Sequence, residues 1–203
     1  MTAAAAAEKR EMYKVVLVGN FQVGKTSIFY RMKNNTYPPP QDVTGIDRCV
    51  CNVEGQGKTL QLSLWDTAGV EQYKRTLTTN HYRYANIAVC VYDVTRADTF
   101  DNLKDWLEDA TLYGPENIAF ILCGNKVDKL LEDDDTERED VSATMVQSLR
   151  NSVNFSSHIL TSAKEGKLDS LKEEIAKLLL AQKNEKPHDT IDTEQRRRES
   201  SCC

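Results

Sequence analysis

Blocks of apolar residues alternate with amphipathic blocks along the chain. Tyr13-Lys14-Val15-Val16-Leu17-Val18 is a nearly continuous apolar run ending at Gly19, which predicts a buried strand. Lys25 to Lys33 carries helical spacing, and Pro38-Pro39-Pro40 ends it in an extended loop. Cys49 to Val53 and Thr59 to Trp65 alternate apolar with polar residues, the signature of half-buried strands. The turn Glu54-Gly55-Gln56-Gly57-Lys58 between them predicts a hairpin. Ile87 to Tyr92, Ile118 to Cys123 and the weaker His158-Ile159-Leu160 predict three further buried strands. Helical patterns over Thr99 to Leu112, Val141 to Asn151 and Leu168 to Lys183 separate them. Strands and helices in alternation predict an α/β fold: a six-stranded, mostly parallel sheet with one antiparallel edge strand and helices on both faces.

The periodic part spans residues 12–183 and predicts one globular domain. Residues 1–11 form an alanine-rich leader, expected to be flexible, and residues 184–203 turn polar and lose periodicity, as a disordered tail does. The formal net charge is −5, which gives no basis for nucleic-acid binding. Residues 132–140 hold seven acidic side chains and one arginine. That block reads either as a solvated loop entering a helix N-terminus or as a docking patch for a basic partner. Cys49, Cys51, Cys90 and Cys123 lie in or beside apolar runs, where free buried thiols belong, and no cysteine spacing matches a zinc site. A reduced, cytosolic setting is expected. No apolar run is long enough to span a bilayer, and Thr2 does not fit N-myristoylation. His81, His158 and His188 form no cluster and read as packing or surface residues.

The chemistry concentrates after strand ends. Gly19-Asn20-Phe21-Gln22-Val23-Gly24-Lys25-Thr26 fits G-x-x-x-x-G-K-[ST] between a strand and a helix, with Ser27 next to it. In such a loop, backbone N–H groups and the helix N-terminus surround a β-phosphate. Lys25 places a charge at the β/γ oxygens, and the Thr26 hydroxyl is a hard oxygen donor for Mg²⁺. Asp66, in Trp65-Asp66-Thr67-Ala68-Gly69, is placed to hold that metal through water. Asn125-Lys126-Val127-Asp128 follows another strand. A carboxylate there accepts from guanine N1–H and N2–H₂, which adenine does not offer, so Asp128 is the candidate base reader. The aliphatic stem of Lys126 can lie along the purine face. Ser162-Ala163-Lys164 follows the last strand and can put a backbone N–H on guanine O6.

With these motifs in hand, residues 12–183 resemble the Ras-type small GTPases, and within them the Rab branch. The Rab likeness rests on Gly45-Ile46-Asp47, Leu62 to Gly69, Thr76-Leu77-Thr78, His81 to Ala85, Val91-Tyr92-Asp93-Val94-Thr95 and the terminal Cys202-Cys203. The resemblance implies a P-loop GTPase fold, GTP/GDP cycling, Mg²⁺, and two loops that reorganise around the γ-phosphate. It further implies vesicle traffic on the cytoplasmic face of an intracellular membrane, with a cytosolic pool. Tyr37 would pack edge-on against the base and Thr44 would ligate Mg²⁺. Effectors would engage residues 44–48 and 65–84 of a monomer. An exchange factor, a GTPase-activating protein, a prenylation escort and a membrane-extraction protein are the other implied partners.

Three positions depart from the family pattern. After Asp-Thr-Ala-Gly the family carries a glutamine that orients the attacking water, and here Val70 follows Gly69. Phe21 stands where a small residue usually borders the γ-phosphate and the path of an accessory arginine. Together they predict slow hydrolysis, unless another residue or a partner glutamine positions the water. In the first switch one residue is missing: counting from Lys25 puts Thr44 on the metal, and counting back from Gly45 puts Val43 there. The hydroxyl favours Thr44. Arg48 replaces an effector-facing phenylalanine.

The tail ends Arg196-Arg197-Arg198-Glu199-Ser200-Ser201-Cys202-Cys203. Two lipid chains on Cys202 and Cys203 would anchor stably, and the arginines would add attraction to an anionic leaflet. The functional expectation is a membrane-anchored guanine-nucleotide switch. A GTP-locked scaffold without useful catalysis is the alternative, and an ATP-dependent enzyme is disfavoured by Asp128.

Overall fold

The computed structural model describes residues 11–37, 47–67, 81–131 and 141–185. Its strands are β1 (Met12–Val18), β2 (Asp47–Gly55), β3 (Lys58–Asp66), β4 (Ile87–Asp93), β5 (Ala119–Asn125) and β6 (Ser157–Leu160). Its helices are α1 (Lys25–Asn34), α2 (Ala97–Asp101), α3 (Leu103–Tyr113), α4 (Ala143–Ser152) and α5 (Asp169–Glu185), with a 3₁₀ turn at Val127–Leu131.

The six strands form one sheet in the order β2-β3-β1-β4-β5-β6. Every pairing is parallel except the β2–β3 hairpin, which places β2 antiparallel at one edge. Position in the sheet explains the sequence patterns. β4 is central and covered on both faces, so all of Ile87–Asp93 is buried. β2 is an edge strand covered on one face, so Cys49, Cys51 and Val53 are buried while Arg48, Val50 and Asn52 face out.

Two apolar layers hold the helices on the sheet. One joins Val15, Leu17, Leu62, Leu64 and Val89 to α1 through Ile28 and Phe29, and to α5 through Leu171, Ile175 and Leu179. The i, i+4, i+8 spacing of those α5 residues makes a single stripe. The other layer joins Val16, Val18, Ala88, Cys90 and Leu122 to Phe100, Leu103, Trp106, Leu107, Val146 and Leu149 of α2, α3 and α4. Burying each of these large aliphatic side chains contributes about 1.5–3 kcal/mol. Gly55 allows α5 to approach β2, because an added Cβ would lie 2.5 Å from the Ala176 methyl. Cys49, Cys51, Cys90 and Cys123 are buried free thiols, as their apolar settings predict.

Boundaries differ from the sequence expectation in three places. The segment expected as one helix over Thr99 to Leu112 begins at Ala97 and is divided at Asn102 (φ −72°, ψ −7°), which stays in the right-handed region between the two helices. The last helix runs to Glu185, two residues into the stretch assigned to the tail. Glu11, assigned to the leader, is held by Tyr13 Oη at 2.7 Å and by Lys183 Nζ at 2.9 Å. The rest of the leader and tail, and the acidic block 132–140, lie outside the described residues.

Candidate nucleotide site

The phosphate loop links β1 to α1, and two glycines let it sit where it does. Gly19 (φ 137°) passes so close to β4 that an added Cβ would lie 2.1 Å from Val91 O. Gly24 (φ 100°) stands against Asn125, where an added Cβ would lie 2.3 Å from Nδ2. Gln22 adopts φ 64°, a left-handed conformation that a non-glycine residue takes only at some cost. Lys25 is buried, and its ammonium caps the loop from within by donating to Gly19 O at 2.9 Å and Asn20 O at 2.8 Å. Helix α1 starts from Gly24 with no side-chain cap and no acid in its first turn. Its N-terminal dipole therefore meets no negative side chain of its own, which suits an arriving phosphate. Trp106 of α3 donates from Nε1 to Asn20 Oδ1 at 3.0 Å and ties the loop to the opposite layer. Phe21 is 45% exposed at the loop's outer edge.

Asp66 ends β3 in register with Leu17, two residues before Gly19, and is fully buried. Thr67 follows, donating to Leu17 O at 3.1 Å. With the Thr26 hydroxyl at the start of α1, the donors are hard oxygens of the kind Mg²⁺ takes, so the residues present fit that ion. Thr44, its alternative Val43, Gly69 and Val70 lie outside the described residues, as do Cys202 and Cys203.

The base side is cross-linked more densely. Asn125 ends β5 and is buried; its Nδ2 donates to Val23 O at 2.9 Å, and its Oδ1 accepts from Thr161 Oγ1 and Ala163 N, each at 3.2 Å. One amide thus fastens the phosphate loop to the loop after β6. Asp128 Oδ1 accepts from Ser162 Oγ, and Lys164 Nζ lies 3.8 Å from its other carboxylate oxygen. Lys126 has a left-handed backbone (φ 71°), and its ammonium pairs with Asp93 Oδ2 at 2.7 Å. Asp93 is buried at the end of β4, and Thr95 donates to its Oδ1 from both N (3.0 Å) and Oγ1 (2.8 Å). Burial alone would raise its pKa, but the Lys126 pair and the Thr95 bonds outweigh burial and hold the carboxyl below its usual value. Asp93, Asn125 and the Thr161–Ser162 turn thus converge at the carboxyl ends of β4, β5 and β6, where open α/β sheets take ligands.

A matching profile now decides the family: the Ras family model covers residues 14–181. The chain belongs to the Ras family. The Ras-related protein Rab-19 of Mus musculus is 36% identical over 163 residues, covering 76% of this chain and 75% of the relative. Rab-19 of Homo sapiens is 34% identical and Rab-19 of Rattus norvegicus 36% identical over the same length and shares. The sheet and its helices are those of a P-loop small GTPase, and the chain is a Rab-type member. Ras-family GTPases bind GTP and GDP with Mg²⁺ and hydrolyse GTP, and Rab relatives work with effectors, exchange factors and activating proteins.

For this Rab-type chain, most predicted base residues meet at one place, and Tyr37 stands nearby, half exposed with its ring 5.8 Å from the Arg31 guanidinium carbon. Toward the predicted effector face, Arg48 is exposed and its guanidinium lies 5.8 Å from the Trp65 ring centre, with Lys14 Nζ at 4.2 Å. His81 meets the same indole edge-on at 6.2 Å. It is buried, neither ring nitrogen has a hydrogen-bond partner among the described residues, and burial, with the nearby Lys14 charge, lowers its pKa to about 3. His158 instead bonds Tyr92 Oη at 2.9 Å. Among the described residues no metal-ligating cluster forms, and no helix is long and apolar enough to cross a membrane.

Sequence reasoning passed over Asp93, Asn20 with Trp106, and Arg31 as site-building residues. Asp93 had a legible signal, since it ends a buried strand on the ligand side of the sheet. The other contacts join residues 86 and 132 positions apart, and no local pattern announces them.

Proposed function

We infer that this Rab-type GTPase is a guanine-nucleotide switch that hydrolyses GTP slowly and therefore dwells in its GTP state. Asp128, set by Ser162, reads N1–H and N2–H₂ of guanine; Asn125 bridges the base and phosphate loops; Lys126 lines the purine face. Gly19, Gln22, Val23, Gly24, Thr26 and Ser27 surround the phosphates, and Lys25 turns from its loop carbonyls to the β/γ oxygens. Mg²⁺, when bound, neutralises charge on those oxygens, with Thr26, Thr44 and, through water, Asp66 as its holders. Tyr37 closes the base edge.

The observation that carries the slow-turnover reading is Val70 where a water-orienting glutamine is usual. An isopropyl group neither accepts from nor donates to water. Phe21, exposed at the rim of the phosphate loop, adds bulk on the side from which a helper arginine would reach the γ-phosphate. Double prenylation of Cys202 and Cys203 would hold the switch on the cytoplasmic face of an intracellular membrane, where residues 44–48 and 65–84 would recruit effectors.

The test is the nucleotide released by heat from freshly purified protein, followed by single-turnover GTP loss with Mg²⁺. Mostly bound GTP with slow loss, and at least roughly tenfold faster loss in Val70→Gln, supports the reading; that gain corresponds to about 1.4 kcal/mol of barrier. Ordinary loss in the unaltered protein overturns it. Val70 and Phe21 also favour a second reading, a GTP-locked scaffold. No acceleration by any activating protein, even in Val70→Gln, selects the scaffold.

A further inference from the structure

Arg31 lies one and a half turns after Lys25 on α1, and its guanidinium is spent on the main chain. Nε donates to Ala163 O at 2.7 Å, Nη2 to Lys164 O at 2.8 Å and Nη1 to Asn35 O at 2.9 Å. Among the described residues it forms no ion pair with a carboxylate. The first two carbonyls belong to the loop after β6 that also presents Ser162 to Asp128 and the Ala163 N–H to Asn125. The third belongs to the left-handed residue that ends α1. The Tyr37 ring, just beyond, lies 5.8 Å from the guanidinium carbon. Gly166 (φ 77°) turns the loop back so that Ser162 bridges to Lys167, and the guanidinium rests against that turn, 3.7 Å from where a Cβ would be.

Such a fork has one consequence. A peptide plane whose carbonyl is held from one side has its neighbouring N–H aimed to the other side, because the peptide is planar. Two adjacent carbonyls held by one rigid, charged fork fix the orientation of the 163–164 peptides far better than a flexible ammonium can. The same fork secures the C-terminal end of the helix whose N-terminus faces the phosphates.

We propose that Arg31 is a positioning residue for guanine recognition: it clamps the Ala163 and Lys164 carbonyls so that the loop's backbone N–H is presented to guanine O6, and it ties that loop to α1 and Tyr37. The proposal rests on the reading of residues 162–164 as the O6 side of the base site. It makes base affinity depend on a side chain that touches neither base nor phosphate.

The test uses the full chain, freed of nucleotide and titrated with a fluorescent GDP. GDP and 2-aminopurine riboside diphosphate, which lacks O6 and the N1–H that goes with it, serve as competitors. The unaltered protein is expected to prefer GDP strongly. Arg31→Met is expected to weaken GDP by roughly tenfold, the effect of losing charge-assisted hydrogen bonds, while the 2-aminopurine competitor changes less than twofold. Arg31→Lys, which keeps the charge and serves as the second variant if the methionine variant does not fold, should fall between, because an ammonium on a flexible stem lacks the planar fork that fixes two carbonyls in one orientation. Equal weakening of both competitors would reduce Arg31 to a general support of the fold and overturn the proposal. Unchanged GDP affinity in both variants would also overturn it. An unaltered protein that does not distinguish the two competitors would instead sink the O6 reading beneath it.

Discussion

The base side and the phosphate side of this GTPase are built on opposite principles. On the base side, side chains do the holding: Asn125 joins the Val23 carbonyl, the Thr161 hydroxyl and the Ala163 N–H, Ser162 holds Asp128, and Asp93 holds Lys126. On the phosphate side the backbone is the scaffold. Lys25 donates to two loop carbonyls, Gln22 carries a left-handed backbone, and α1 begins without a side-chain cap. The base site is therefore cross-linked by its own side chains, and the phosphate loop is shaped by its main chain. A base site braced in this way confers specificity at little ordering cost.

The largest effect that would sharpen this contrast is expected from Lys25→Met. It removes the loop's cation, and GDP affinity measured by fluorescence titration should fall at least about a hundredfold, since a buried charge-assisted contact with phosphate is lost. A fall below threefold would mean the loop amides alone hold the phosphates. Next, Asp128→Asn keeps an acceptor for N1–H but puts a donor opposite N2–H₂, where xanthine has a carbonyl, and GDP should weaken by roughly tenfold to a few hundredfold while a xanthine diphosphate gains in competition. Equal loss for both bases would break the assignment of Asp128 as reader.

Acid should separate the two sides. His81, packed on Trp65 beside Asp66, is buried with a pKa lowered from the usual 6.5 to about 3. The unfolded chain then binds a proton that the folded chain refuses, so stability falls as pH drops below 6.5. The loss is roughly 2 kcal/mol by pH 5 and should shrink in His81→Phe, read by denaturant melts at pH 7 and pH 5. Asp93 has the opposite timing. Its folded pKa is depressed, so the stability it contributes is complete above the usual 3.8 and disappears only as pH falls through the lower folded value. Asp93→Asn should therefore leave the pH 7-to-5 loss intact while speeding GDP release a few-fold. The smallest effect is expected from Trp106→Phe. Losing the bond to Asn20 Oδ1 should cost about 1 kcal/mol of stability, seen in the same melts.

Local chemistry was legible where chemistry is local. Strand β1, the glycine-lysine loop and α1 announce themselves because a buried strand, a phosphate turn and a helix start each have short-range rules, and the hairpin at residues 54–58 follows from its turn residues. The split of α2 from α3 at Asn102 was not legible, since a one-residue division that keeps right-handed dihedrals has no periodic mark. The contacts that assemble the site were hidden for a different reason. Arg31 and Ala163 are 132 residues apart, and Asn20 and Trp106 are 86 apart.

The amino-acid order alone determined which residues can bear phosphate, metal and guanine chemistry, and in what sequence strands and helices deliver them, because hydrogen-bonding capacity and apolar period are properties of short segments. Tertiary structure decided how those residues are held. The parallel order β1-β4-β5-β6 brings four strand ends to one rim, and only there do Asp93 meet Lys126, Ser162 meet Asp128 and Arg31 meet the 163–164 carbonyls. The physical reason is that a hydrogen bond needs its partners within about 3 Å. Closeness of that kind between distant positions is set by the packing of the whole sheet.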